Sequence, residues 1–176
     1  MSVSALARLL RSAAVVGVSG SRAPGPGCAR AAAWAVGQLA SSASVVTGCA
    51  SGIDRVARQL VPSPVVFRAS RFGRGRGSYA RRSIAVVQRV AAGGAAGGSA
   101  LWVSAPGRAC PRGLGPSSSS SACFAGFGSG SWASLALALG LGVRALVWLP
   151  PGISPPVGWG LSLVCPGRAG AWWGTP

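Results

Sequence analysis

Three runs of glycine and small polar residues stand where a strand would hand over to a helix. Each could present bare backbone N–H groups, and the positive end of a helix, to an anion such as phosphate. Gly20-Ser21-Arg22 follows the apolar run 13–18. Gly48-Cys49-Ala50-Ser51-Gly52-Ile53-Asp54 follows the run 44–47. Gly128-Ser129-Gly130-Ser131 opens a stretch rich in Ala and Leu. In the first turn the Ser21 hydroxyl can donate to a phosphate, and Arg22 adds a planar two-pronged donor. A plain β-turn with an exposed arginine would have the same sequence. In the second, Gly48, Ala50 and Gly52 leave room for close approach, and Asp54 can cap N–H groups or accept from a ribose hydroxyl or base. An ion pair of Asp54 with Arg22 or Arg55 is the structural alternative. The third turn, in which Ser129 and Ser131 alternate with Gly128 and Gly130, is the best anion cradle of the three. A tight packing turn is its bland counterpart.

A second group of residues suits a polyanion. Arg68, Arg71, Arg74 and Arg76 are interleaved with Gly, Ser and Phe72, and Tyr79, Arg81 and Arg82 follow. Arg71, Arg74, Arg76 and Arg82 would track nucleic-acid phosphates, Arg81 would reach phosphate or stack on a base, and Phe72 or Tyr79 would supply a stacking face. Arg82, seven residues before Arg89, also fits a solvated helix face. The net charge is +16, and Asp54 is the only acidic residue. Every basic residue is Arg, a skew that GC-rich coding also produces, so the charge carries only part of the functional weight. Such a surface attracts polyanions, and the attraction falls with salt.

Catalysis has little to work with. The chain has no His, Glu or Lys, and nothing marks a Ser or Cys as activated by a neighbour, so no general base and no catalytic residue is identified. The five cysteines form no CxxC pair, which points away from structural zinc, a metal site or a disulfide framework and towards a reducing cytoplasm. The dinucleotide motif Gly-x-Gly-x-x-Gly with an acidic residue about twenty positions on is missing. No cofactor is expected, although a nucleotide could be bound as ligand.

These residues need elements to position them. Apolar runs alternate with helical stretches, predicting an α/β domain: a three-layer Rossmann-like sandwich with a mostly parallel sheet of about five to six strands over residues 1–150. Strands are expected at 13–18, 44–47, 64–68, 99–104, 122–126 and 143–149, and helices at 28–41, 52–60, 79–92 and 132–141. On the helix 79–92, Ile84, Val87 and Ala91 share one side. Residues 1–12 form a lead-in segment; the strand that follows at once favours a helix there over a transit peptide. The uncharged span 113–143 is interrupted by Pro116, five serines and the glycine turn, so a buried helix is expected there and no membrane contact. Residues 151–176, with Pro, Gly and three Trp, read as an irregular tail.

The set Gly20-Ser21-Arg22, Gly48 to Asp54 and Ser129-Gly130-Ser131-Trp132-Ala133, in this order, resembles the DprA/Smf family within the SLOG superfamily of Rossmann-like nucleotide binders. The likeness covers roughly residues 15–150. Tyr79-Ala80-Arg81-Arg82-Ser83-Ile84 is similar to the family's Phe-x-x-Arg-Asn-Arg-x-Ile segment, with Arg82 where the family has Asn. Arg58 stands where the family has His after Gly-Ile-Asp, and at 176 residues the family's flanking helical domains are not expected. The resemblance implies non-catalytic binding of a nucleotide-type ligand or single-stranded DNA, with phosphates over 19–22, 48–52 and 128–131. It also implies a DNA-processing role and is compatible with a homodimer. Phosphoribohydrolases share that fold, which makes a nucleotide N-glycosidase the rival reading, but they need a Glu that this chain lacks. A sensor of a nucleotide-derived metabolite is a third.

Overall fold

The computed structural model describes residues 2–75 and 77–176. Arg76, one of the arginines assigned to nucleic acid, lies outside the described residues. The elements in chain order are α1 (Val3–Ser12), β1 (Val15–Gly20), α2 (Pro26–Gly37), β2 (Ser44–Gly48), α3 (Ile53–Leu60), β3 (Val65–Phe67), α4 (Gly77–Ala95), β4 (Ala100–Ala105), α5 (Ser120–Cys123), α6 (Gly130–Gly140), β5 (Arg144–Leu149), β6 (Ser162–Cys165) and β7 (Ala171–Gly174). One seven-stranded sheet has the order β3-β2-β1-β4-β5-β7-β6. The first five strands in that order are parallel, and β7 and β6 close one side as an antiparallel hairpin.

The sheet is covered on both faces, which is why its strands are continuous apolar runs. On one face Val16, Val18, Val45, Leu101, Val103 and Leu146 pack under α1, α2 and α3 through Leu6, Leu10, Ala32, Ala35, Ile53 and Ala57. On the other, Val46, Trp102, Ala145 and Val147 pack under α4 and α6 through Val87, Val90, Trp132, Leu135 and Ala136. The chain is thus a three-layer Rossmann-like α/β sandwich. Helix starts follow the local chemistry. Ser2 caps α1 by accepting from the Ala5 N–H at 3.3 Å, and Pro26 opens α2, where its missing N–H costs nothing. Among the described residues no helix is long and apolar enough to cross a membrane.

Two expectations are corrected. The strand predicted at 122–126 does not form: Ser120–Cys123 is a helical turn, with Ser119 Oγ accepting from the Ala122 N–H at 3.3 Å. The serine run offers a cap, and β4 pairs directly with β5, leaving no slot for a strand between them. The tail is not irregular. Ser162–Cys165 and Ala171–Gly174 pair as a hairpin, and β7 pairs with β5. In β7, Trp172 belongs to one core and Trp173 packs against the other, as period-two alternation requires. The strand total is therefore seven, above the five to six expected.

Candidate functional site

β1 leads into α2 and β2 into α3 on one face, whereas β3 leads into α4 and β4 into α6 on the other. The direction of winding therefore reverses between β1 and β4. In open α/β sheets, ligands bind outside the carboxyl ends of the strands at that switch point. All three glycine turns lie at this edge, since they follow β1 and β2 and open α6.

The first two turns are laced together. The Ser21 N–H donates to the Ala105 carbonyl at 3.0 Å, the Ile53 N–H donates to the Ser21 carbonyl at 3.0 Å, and the Ser51 hydroxyl donates to the Arg22 carbonyl at 3.0 Å. Gly52 has φ +69°, and a Cβ there would fall 2.2 Å from the Ser21 carbonyl oxygen. A Cβ at Gly48 would fall 1.3 Å from Arg82 Nη1 and 2.5 Å from Asp54 Oδ2. Close approach at Gly48 and Gly52 is therefore made by the chain's own atoms.

Asp54 sits in the first turn of α3, 4% exposed. Its Oδ2 accepts from Arg82 Nη1 at 2.8 Å and from the Ala50 N–H at 3.2 Å. Arg58 Nη1 donates to the Gly48 carbonyl at 2.7 Å. Arg82 is thus neither a solvated face nor a free contact for nucleic acid: it is 7% exposed and paired. The expected partners of Asp54, Arg22 and Arg55, are exposed instead. The reason is that α4 buries Arg82, Val86 and Val90, a stripe at i, i+4 and i+8. Ile84 and Ala91 are only partly buried, so the buried face is rotated from the one expected. That i+4 spacing was the available signal for Arg82.

Register exposes further residues. Gly48 pairs with Phe67, and Ser19 with Ser104, which in turn pairs with Val147. Continuing the β1–β2 register by one residue places Ser19 beside Gly48. These five form one row across the sheet on the α4/α6 face. Arg82 lies over its glycine, and strand spacing of about 4.8 Å sets the two serines one and two strands away. Ser19 Oγ, Ser104 Oγ and Arg82 Nε are all buried and have no hydrogen-bond partner among the described residues. Each such group costs about 1–3 kcal/mol. Ser104 was not anticipated; its place beside Ser19 depends on pairing between strands far apart in sequence.

The third turn is open. Gly128 has φ +75°, and a Cβ at either Gly128 or Gly130 would meet nothing within 4 Å. Ser129 occupies the cap position of α6 and is buried, and Ser131 is half-buried. Arg108 donates to the Gly128 carbonyl, while Trp132 Nε1 donates to the Arg108 carbonyl at 2.8 Å. Trp159 stands edge-on to Trp132, with ring centroids 5.5 Å apart, and supports the turn. Sequence reasoning missed Arg108, whose loop position carries no motif.

Of the arginines after β3, Arg71 and Arg74 are exposed. Arg81 Nε donates to the Phe72 carbonyl at 2.8 Å. Phe72 stacks on Phe67, 6.3 Å between centroids, so Tyr79, 48% exposed, is the freer of the two aromatic candidates.

The cysteines carry free thiols. Cys28 lies under the switch point and donates to the Ala105 carbonyl at 3.3 Å. Burial pushes its pKa, and that of Cys110, up to about 11, and raises that of Cys123. None of these three is a thiolate nucleophile near neutral pH. A raised folded-state value stabilises fully below the ordinary thiol pKa of 9.0 and is lost as pH climbs to about 11. Native stability should therefore fall between those limits. Urea unfolding at pH 8 and pH 10.5 checks this, and Cys28→Ala should flatten the decline.

The chain matches no family model, no characterised protein and no solved structure in the three comparisons made.

Proposed function

We propose that this chain binds a phosphate-bearing ligand of nucleotide type, free or as part of single-stranded DNA, at the carboxyl edge of the sheet without transforming it. The observation that supports this reading most is the buried row of Ser19 Oγ, Ser104 Oγ and Arg82 Nε, without hydrogen-bond partners among the described residues and lying at the switch point. Folding leaves these donors buried there at a cost, which a phosphate entering the row would offset. The open Gly128–Gly130 turn at the start of α6 and the exposed Arg22 supply further donors at the same edge. Arg71 and Arg74, beyond β3, would extend contact to a longer strand. A DNA-processing role follows only from the resemblance.

The glycosidase rival needs a carboxylate free to act. Asp54 is the only one in the chain, and it is held by Arg82 and the Ala50 N–H. Steady release of free base from nucleoside monophosphates, abolished by Asp54→Ala, would favour that rival.

Titration calorimetry with the nucleoside 5′-monophosphates and inorganic phosphate tests the proposal. Ser104→Ala should make the free protein about 1–3 kcal/mol more stable, because an unmatched buried hydroxyl is removed. The same change should weaken binding about five- to tenfold, one hydrogen bond's worth. Wild-type protein that binds none of these compounds, or a Ser104→Ala protein that binds them equally well, ends the proposal.

A further inference from the structure

Gly27, Arg30, Ala31 and Trp34 recur at i, i+3, i+4 and i+7 and form one stripe of α2. Opposite them runs the loop from Cys165 to Gly170 that joins β6 to β7, with Trp148 and Trp172 between. Together they line a groove of about 450 Å³. It exists because Gly27 and Ala31 contribute almost no side chain: even a Cβ at Gly27 would stand 3.0 Å from the Trp148 ring. Trp34 and Trp172 lie 6.1 Å apart at 48°, and Trp34 is half-buried. Arg30 and Arg168 are exposed on opposite walls.

The charge of this groove has no internal answer. Asp54 is the only acidic side chain in the chain, and Arg82 already holds it. Arg30 and Arg168 therefore have no carboxylate side chain to pair with. A groove with indole walls and two guanidinium groups at its lips offers a face for a flat ring and a counter-charge for the phosphates on either side of it. An acidic peptide would answer the charge but bring no flat ring to the indoles. The groove also opens at the carboxyl edge. α2 begins there, and β7 begins at Ala171, opposite the last residue of β5, Leu149.

We infer that this groove is a contact for single-stranded nucleic acid, in which one base lies against Trp34 while Arg30 and Arg168 meet the flanking phosphates. It is separate from the serine row, which lies on the other face of the sheet, and does not depend on it.

The test measures quenching of tryptophan fluorescence by twelve-residue oligo-dT and oligo-U across a salt series, beside an abasic oligomer of equal length. Ala31→Leu, which fills the groove, and Trp34→Leu should each weaken binding of the base-bearing oligomers about tenfold and leave abasic binding unchanged. Arg30→Ala/Arg168→Ala should lower the slope of log affinity against log salt by about 1.4, two single-strand phosphate contacts. Arg89→Ala/Arg112→Ala removes equal charge elsewhere and should lower it less. If Trp34→Leu does not fold, Ala31→Leu decides. Abasic binding as tight as oligo-dT, an inert Ala31→Leu, or an arginine pair no different from its control overturns the inference. So does equal, Ala31-sensitive quenching by polyglutamate or anionic vesicles. The groove variants should leave mononucleotide affinity unchanged and Ser104→Ala should alter it, so the groove and the edge site can fail separately.

Discussion

Arg82→Ala is expected to lower the unfolding free energy by about 3–5 kcal/mol, because it leaves a buried carboxylate without its counter-charge. The side chains of Arg82 and Asp54 are 9% and 6% exposed and meet at 2.8 Å. The remaining donor to Asp54 is the Ala50 N–H, which cannot replace a full positive charge. The loss is a large fraction of the total stability of an ordinary domain, about 5–15 kcal/mol. Arg89→Ala, on the exposed side of α4, should change stability by no more than about 0.5 kcal/mol. Asp54→Leu/Arg82→Met should recover most of the loss, since a buried ion pair replaced by apolar groups of similar volume is often neutral. Urea denaturation of the four proteins tests this. A loss below about 1 kcal/mol for Arg82→Ala would show that the pair holds nothing in place.

Gly52→Ala should destabilise by about 3 kcal/mol or more and disturb both early turns at once. Two independent costs add. Residues other than glycine held in sparsely populated backbone regions pay about 1–3 kcal/mol, and Gly52 has φ +69° and ψ −127°. The new Cβ would also lie 2.2 Å from the Ser21 carbonyl oxygen and 2.7 Å from Arg22 backbone atoms. Those atoms are backbone, so no side-chain rotation relieves the overlap, and overpacking costs about 1–3 kcal/mol more. The Ile53 N–H to Ser21 carbonyl bond should loosen with them. Hydrogen exchange at Ile53 together with thermal melting measures both effects. Unchanged protection at Ile53 would mean that the two turns are not mechanically joined.

The parallel part of the sheet was legible because its strands are covered on both faces and read as unbroken apolar runs between glycine turns. Val15–Gly20, Ser44–Gly48 and Arg144–Leu149 differ from their expected spans by two residues or fewer at each end. The β6–β7 hairpin was not legible. Its strands are four residues each, their surroundings are rich in Pro and Gly, and what orders them is pairing with β5. The five residues between Cys165 and Ala171, with Gly at two positions, were nonetheless a hairpin signal. The positions of the glycine turns were readable from local order, since a turn at a strand end is fixed by its own residues. The internal packing of Gly48 and Gly52 was not readable, because the atoms that fill the space come from Arg82 and Ser21. Ser19 and Ser104 show the same limit: in the chain they are two ordinary serines 85 positions apart, and only the β1–β4 register makes them neighbours.

The hairpin at the end of the chain has a consequence for how copies of this protein meet. It moves β5, six residues with five buried, one place inwards from the margin. The outermost strands are then β3, three residues long, and β6, four residues with a break in register at Leu163 and Cys165. Neither border is long or regular enough to template a strand from another molecule, so the sheet guards itself against end-to-end polymerisation by geometry, with no acidic gatekeeper residue at either border.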